Sequence, residues 1–424
     1  MEKKDLLIVG SGGREHALGW KLSKSQLVGK IYYAPGNGGT NENINIDFHE
    51  IDKLLDFAKK NDCLTIVGPE EPLSRGIVDS FTDKELPIFG PSREGSRLES
   101  SKIFAKEFMN ENNIPTADYE YFDDVNKAKD YVTRQSSPLV VKADGLAGGK
   151  GVIVCNDSSE ALDAIDSIMI KREVTQTSRR IVIEKRIFGE ELSFIGLCDG
   201  ENLIAFDSCQ DHKRLLNDDR GPNTGGMGSY SPAPFVDDEL SSKIMKSIMI
   251  PTIKGMKRRG FPFKGFLYAG LMIDKTRSNP IVLEYNVRMG DPECQSLMVR
   301  MESDLFSCIS SAINGNLQDI SMKWKKKFSA CVVIASKGYP GNYTTGYEIH
   351  GLDNANVNDD VVVFHAGTKR NGNKIYTSGG RVLSVTGIGD NLKLAISKTY
   401  NIANKIYWGK NEQYYRTDIA KRHS

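Results

Sequence analysis

The first hundred residues alternate short apolar runs with segments of helical period. Leu6–Val9, Lys30–Ala34, Cys63–Val67 and Pro87–Phe89 have the length of strands, and Arg14–Lys24 follows the first of them with a helix-like pattern. Each run ends in a turn rich in glycine or proline: Gly10-Ser11-Gly12-Gly13, Pro35-Gly36-Asn37-Gly38-Gly39, Gly68-Pro69-Glu70-Glu71-Pro72 and Gly90-Pro91. Strand, turn, helix, strand at this spacing predicts a parallel α/β sheet. Ligands of such sheets bind beyond the carboxyl ends of the strands, so these turns are expected along one functional edge.

The pattern then changes. A helix is predicted over Ser100–Glu111, a strand over Pro138–Lys142, a glycine-rich loop, a strand over Gly151–Val154 and another over Arg180–Ile187. Further on come a turn-rich loop, Asp218–Pro234, and one long helix, Asp238–Arg259. The last hundred residues read as β-rich, with strands over Ala330–Ala335, Val361–Phe364 and Gly380–Val385, then a helix over Leu392–Ile402. The expected division is an N-terminal α/β domain (1–100), a lid region carrying the glycine-rich loop (101–190), a central domain (191–325) and a β-rich C-terminal domain (326–424).

Composition narrows the class. Apolar residues make up 39% of the 424 and charged residues 26%, an ordinary globular mix. Lys plus Arg (56) balances Asp plus Glu (55), which argues against nucleic acid as a partner. The five-residue basic cluster Lys323–Lys327 reads as a solvated face. No stretch approaches the ~20 apolar residues of a membrane span. The four apolar residues Leu6–Val9 are too few for a signal peptide, so a cytoplasmic protein without membrane contact is expected. Seven scattered cysteines without a Cys-x-x-Cys pair read as free thiols. The histidines show no metal-ligand spacing, and no heptad seam points to a dimer, so a monomer is expected. Glycine is in excess: 40 residues, where average usage predicts roughly 30.

Four segments could carry chemistry. Gly10-Ser11-Gly12-Gly13-Arg14-Glu15 follows a strand and opens a helix, as a dinucleotide fingerprint does. However, Glu15 stands at the third glycine position, and the second strand ends in Ala34-Pro35-Gly36 without an acid for a ribose hydroxyl. A turn that holds some other phosphate, or a merely tight turn, fits better. Lys142-Ala143-Asp144-Gly145-Leu146-Ala147-Gly148-Gly149-Lys150-Gly151 resembles a P-loop but lacks the following Ser or Thr and leads into a β-branched run. It reads instead as a hairpin that folds over a triphosphate, with a lysine at each end. In Leu283–Glu293, Glu284, Asn286 and Arg288 share one strand face. The first two are hard oxygen ligands suited to Mg²⁺, and Arg288 can clamp a phosphate or carboxylate. Ser208–Arg214 and Gly221–Gly228 form a loop too dense in glycine and polar donors to read as decoration.

Taken in order, these segments resemble the ATP-grasp ligases and, more narrowly, the phosphoribosylamine–glycine ligase (glycinamide ribonucleotide synthetase) family. The resemblance is carried by Gly10–Leu18, Ala34–Asn37, Val67–Glu70, Lys142–Gly151, Gln210–Arg214, Gly221–Gly228 and Glu284–Glu293. It continues at Gly338–Gly341, Phe364–Thr368 and Gly379–Val382, and so covers nearly the whole chain. It implies a multidomain α/β ATP-grasp architecture: an N-terminal parallel-sheet domain, a small lid subdomain and a β-rich C-terminal domain. The implied reaction joins glycine to 5-phosphoribosylamine in purine biosynthesis. ATP is consumed to ADP and phosphate through a glycyl phosphate, with Mg²⁺ or Mn²⁺ as cofactor.

The resemblance also assigns roles. Lys102, Lys142 and the loop Asp144, Gly145, Gly148, Gly149, Lys150 and Gly151 would hold the ATP phosphates. Glu184, Arg186 and Ile187 would form the adenine hinge, with Glu191 on the ribose. Glu284 and Asn286 would bind the metal. Gly12, Gly13, Pro35, Gly36, Asn37, Gly68, Pro69 and Glu70 would face phosphoribosylamine. Asp211, Lys213, Asn223, Thr224, Gly225 and Gly226 would complete the substrate pocket. Arg288, Lys142 and Asp211 would act in catalysis. Two departures stand out. Many ATP-grasp enzymes carry another acidic ligand about a dozen residues before the Glu, where this chain has Leu271-Met272, with Asp274 out of register. Gly148 replaces an expected Ala, which would loosen the lid.

Overall fold

In the computed structural model, which describes residues 3–148, 151–173, 179–274, 279–353 and 360–423, the first four strands form a parallel sheet. Its order is Val28–Pro35, Lys4–Gly10, Leu64–Val67, Ile88–Phe89. Leu6 to Val9 are all fully buried, as expected of a parallel strand covered on both faces. Gly10 lies opposite Pro35 and Val9 opposite Val67, so the turns emerge together on one edge, as the strand pattern predicts. The helix Ile51–Lys60, which the sequence reading passed over, packs on this sheet through Leu54 and Ala58.

The lid sheet is antiparallel, in the order Tyr119–Phe122, Ile181–Lys185, Leu139–Ala143, Val152–Cys155. The last two form a hairpin in which Lys142 faces Val152, and the Ala143 N–H donates to Gly151 O at 2.8 Å. Its own core joins Val141, Ile181 and Ile183 to Ala128 and Val132 of the helix Val125–Thr133 and Ile165 of the helix Ser158–Ile165. The strand over 180–187 is shorter than expected, Ile181–Lys185, because the chain leaves the sheet at Arg186.

The central sheet is antiparallel: Leu203–Ala205, Glu190–Asp199, Lys264–Ile273, Pro280–Asn286. The C-terminal sheet corrects the sequence reading. Its order is Gln210–Asp211, Gly228–Ser231, Phe328–Ser336, Arg381–Gly389, Val361–His365, with Gln413–Tyr414 also pairing to Phe328–Ser336. The segment read as a turn-rich loop therefore supplies a strand, Gly228–Ser231, and a second one, Arg220–Asn223, paired with Arg214–Leu216. Gly-Ser-Tyr-Ser has no apolar alternation. It is a strand because it is fully buried between two partners, where packing overrides propensity.

The long helix is present but interrupted. Asp238–Ile244 passes through a π turn at Met245–Met249 into Ile250–Arg258. Pro251 has no N–H to donate, and its ring crowds the carbonyl one turn earlier; widening that turn accommodates it. All seven cysteines are buried and unpaired. Among the described residues, no helix is long and apolar enough to cross a membrane.

Candidate active site

A cavity of about 660 Å³ opens between the lid hairpin, the central sheet and the Pro69–Glu70 turn of the N-terminal domain. Three lysines reach its floor. Lys102 opens the helix Lys102–Glu111 and donates to Gly145 O at 2.9 Å. Lys106, one turn later, donates to Thr116 Oγ1 at 2.7 Å and lies 3.1 Å from Glu184. Lys142 ends its strand, donates to Leu283 O at 2.8 Å and lies 2.7 Å from Glu184. Glu184 thus sits buried beneath two ammonium groups. Burial pulls Lys106 down to about 8 although Glu184 opposes it, and burial also lowers Lys102 against the pull of Glu284. These cations are poorly solvated and gain from an arriving anion.

Glu284 and Asn286 lie on the last strand of the central sheet, which stops at Asn286, short of the expected shared strand face; Arg288 follows in the bend beyond it, and all three line the cavity. Lys213 donates to Glu284 Oε1 at 2.9 Å. That cation, working against burial, holds the Glu284 carboxyl at about 2. Burial disfavours charge on Lys213, but Glu284, Tyr268, Glu191 and Asp211 outweigh it and keep the ammonium protonated. Gly270 lies opposite Glu284 on the neighbouring strand, so that strand offers no acid at the facing position. Among the described residues no group of three or more His, Cys, Asp or Glu side chains gathers in a form that could hold a metal. Glu284 and Asn286 place one carboxylate and one amide oxygen beside the lysines of the cavity, the residues that could hold a cation there.

Arg288 is gripped by two carboxylates. Its Nε donates to Glu70 at 3.0 Å, its Nη2 to Glu99 at 2.7 Å and its Nη1 to Met289 O at 3.2 Å. Burial opposes ionisation of Glu70, but Arg288 and Arg14 prevail and hold it at about 2. At Glu99 burial wins over Arg288 and pushes the carboxyl up to about 7. Asp211 also faces the cavity, and its Oδ1 has no hydrogen-bond partner. Burial, reinforced by Glu293, raises its carboxyl well above the usual range.

Other candidates fall into place unevenly. Gly145, Gly148, Gly151, Arg186, Ile187, Glu191, Asn223, Thr224, Gly225, Pro69 and Glu70 line the cavity. Gly149 and Lys150 lie outside the described residues. Asp144 is turned away: it accepts from Ser101 Oγ, from the Ile103 N–H and from Arg180, and so pins the start of the helix that carries Lys102. Gly12, Gly13, Pro35, Gly36, Asn37, Gly68 and Gly226 do not border this cavity. Beside the glycines, side chains of this chain take up the space. The Gly12 N–H donates to the Glu15 carboxylate at 2.5 Å, and a Cβ on Gly68 would strike the same carboxylate. Asn37 Nδ2 bonds Ser11 O and His365 O, fastening the second turn to the C-terminal domain.

Three family models match along the chain. They are described as the N domain of phosphoribosylglycinamide synthetase (residues 4–99), its ATP-grasp (A) domain (100–294) and its C domain (329–422). A phosphoribosylamine–glycine ligase of Vibrio vulnificus is 47% identical over 99% of this chain and 98% of its own. One from Pseudomonas aeruginosa is 46% identical over 99% and 98%. The chain belongs to the phosphoribosylamine–glycine ligase family.

A crystal structure of that ligase from Thermotoga maritima superposes with a TM-score of 0.84 at 32% identity, covering 98% of this chain and 100% of the other. A Campylobacter jejuni biotin carboxylase with TM-score 0.72 and 15% identity, covering 100% and 99%, shares the fold. As a member of the phosphoribosylamine–glycine ligase family the chain is an ATP-grasp enzyme, and its cavity holds residues that the sequence reading missed. Lys106 was visible in principle, four residues after Lys102 on the same helical face. Glu99 left no local signal. Arg381 donates to Gly225 O at 2.6 Å and to Asp291 O at 2.5 Å, tying the loop at Gly225 to the segment after the last central strand; its Gly-Gly-Arg motif carried part of the resemblance without showing this contact.

Proposed function

We infer that this chain joins glycine to 5-phosphoribosylamine, converting ATP to ADP and phosphate. The observation that carries the reading is one cavity lined by a glycine-rich hairpin, three lysines, Arg288, Asn223–Gly225 and Pro69–Glu70. A triphosphate fits the part lined by Lys102, Lys142, Gly145, Gly148 and Gly151. Gly149 and Lys150 of the same loop are proposed to help hold the phosphates. Arg186 and Ile187 lead out of the lid strand beside the cavity and offer an adenine hinge, with Glu191 toward the ribose. Glu184 holds Lys106 and Lys142 in place, and Asp144 orients the Lys102 helix.

The chemistry proposed is phosphoryl transfer followed by acyl transfer. A carboxylate oxygen of glycine attacks the γ-phosphorus, and the bond from that phosphorus to the ADP oxygen breaks. The amine of phosphoribosylamine then attacks the glycyl carbonyl, phosphate leaves with the bridging oxygen, and the amine gives up a proton. Both steps need positioning and neutralised charge more than a protein nucleophile. Lys142 and Lys102 neutralise the phosphates. Arg288 holds an anionic group of the acyl substrate or its phosphate. Lys213, Asp211, Thr224 and Gly225 shape the substrate end. Glu284 and Asn286 would hold Mg²⁺ or Mn²⁺, which when bound supplies positive charge to the nucleotide phosphates. Pro69 and Glu70 face phosphoribosylamine. Gly12, Gly13, Pro35, Gly36, Asn37, Gly68 and Gly226 are proposed to act through the wall they support. The proposed protein acts as a monomer in the cytoplasm.

Glycine labelled with ¹⁸O in its carboxylate tests the intermediate. The reading expects one ¹⁸O in each phosphate released. Unlabelled phosphate would show that the carboxylate never bonded to phosphorus.

A further inference from the structure

The grip on Arg288 is built from three separate stretches of chain. Glu70 comes from the turn after the third strand of the parallel sheet, and Glu99 from the short helix Arg97–Ser100 at the junction with the lid. Arg288 leaves the last strand of the central sheet. A guanidinium has five N–H donors. Here one goes to Glu70, one to Glu99 and one to Met289 O, which leaves two for a substrate. Glu99 also fixes the backbone under the arginine, since its Oε2 accepts from the Val287 N–H at 2.7 Å. The Glu99 side chain is 8% exposed and that of Arg288 17%, and both border the cavity. One carboxylate therefore holds both the guanidinium and the peptide next to it.

We propose that Glu99 is a positioning residue for the reaction, aiming the two remaining N–H donors of Arg288 into the cavity. This rests on the reading that Arg288 contacts an anionic group of the substrates. Two facts favour a positioning role over simple packing. The contact is charge-assisted and directional, with separate oxygens serving the side chain and the backbone. Glu70 already provides Arg288 with a counter-charge, so charge balance alone does not need Glu99. What Glu99 adds is a second fixed direction, and two directions define the plane of the fork.

The test uses Glu99→Gln, which keeps the shape, together with Glu99→Ala, Arg288→Ala and the double variant Glu99→Gln/Arg288→Ala. Steady-state rates are measured with glycine and phosphoribosylamine, and ADP affinity by calorimetry. Positioning predicts that Glu99→Gln lowers kcat about 10- to 100-fold while ADP affinity stays within about twofold. In the double variant, Glu99→Gln adds less than about twofold to the loss from Arg288→Ala, because Glu99 acts only through that arginine. Unchanged kcat in Glu99→Gln, or losses that multiply in the double variant, overturns the proposal. A collapse of ADP affinity in Glu99→Gln does so as well, since that marks general damage. If Arg288→Ala itself keeps full activity, the reading of Arg288 falls first, and the proposal with it.

Discussion

Two glycine-rich regions of this chain look alike in sequence and differ in use. The turns after the first three parallel strands and the hairpin Lys142–Gly151 both combine glycines with charged residues. In the turns, the space that the glycines leave is taken by the protein itself. Glu15 occupies the room beside Gly12 and Gly68, Gln295 the room beside Gly13, and His365 the room beside Gly39. In the hairpin, Gly151 packs against Ala147, but Gly148 has nothing among the described residues within 4 Å of where a Cβ would stand, and it borders the cavity. Bare backbone thus serves close packing between domains in one region and approach to a ligand in the other. Glycine count alone does not separate the two; what fills the gap does.

The largest effect should come on the cavity side. Glu284→Ala is expected to lower turnover by about 10³-fold or more while the far-UV and near-UV circular dichroism stay those of the parent. Full activity in that variant would remove Glu284 from the chemistry and leave the hairpin facing an unexplained space.

A matched pair of glycine substitutions sharpens the contrast. Gly68→Ala must displace the buried Glu15 carboxylate and is expected to cost about 2–3 kcal/mol of stability, read from chemical denaturation. Gly148→Ala meets no neighbour among the described residues. It pays only for its left-handed backbone (φ +56°), about 1 kcal/mol, and should show chiefly as a changed KM for ATP. Equal destabilisation at both sites would abolish the distinction.

A smaller effect separates the regions by pH. His16 and His365 lie in the seam between the N-terminal turns and the C-terminal domain, where the His365 N–H donates to His16 Nδ1 at 2.9 Å. Burial lowers His16 to about 4 and His365 to about 3, below the ordinary value of 6.5. The unfolded chain therefore takes up these protons first. Their contribution to stability is complete above about pH 6.5 and is lost as pH falls toward 4 and 3. Between pH 7 and 4.5 the expected loss is on the order of 2 kcal/mol for each histidine, seen as a falling Tm. His16→Asn, which keeps an acceptor, should flatten part of that slope. An unchanged slope would place the acid sensitivity elsewhere.

The contrast also explains what could be read from the chain. Features with a short period were legible: the parallel strands with their turns, the hairpin, and the shared strand face of Glu284 and Asn286, although the strand stops before Arg288. Asp144 was expected beside the phosphates, and its oxygens accept from Ser101 and Ile103. The rest depends on distant partners. Lys213 and Glu284 are 71 residues apart, and Glu99 and Arg288 are 189 apart. No local pattern records such pairs, nor the burial that makes Gly228–Ser231 a strand. The same holds for Glu15, whose bulk argued against a dinucleotide turn but whose carboxylate in fact fills the turn.

The central claim is that this cavity couples ATP to the joining of two specific partners. Steady-state ADP release with glycine and phosphoribosylamine varied independently tests it most directly. The account predicts saturable dependence on both and a fall to background when either is left out. ADP release that ignores phosphoribosylamine, or runs equally well with another carboxylic acid in place of glycine, would contradict it.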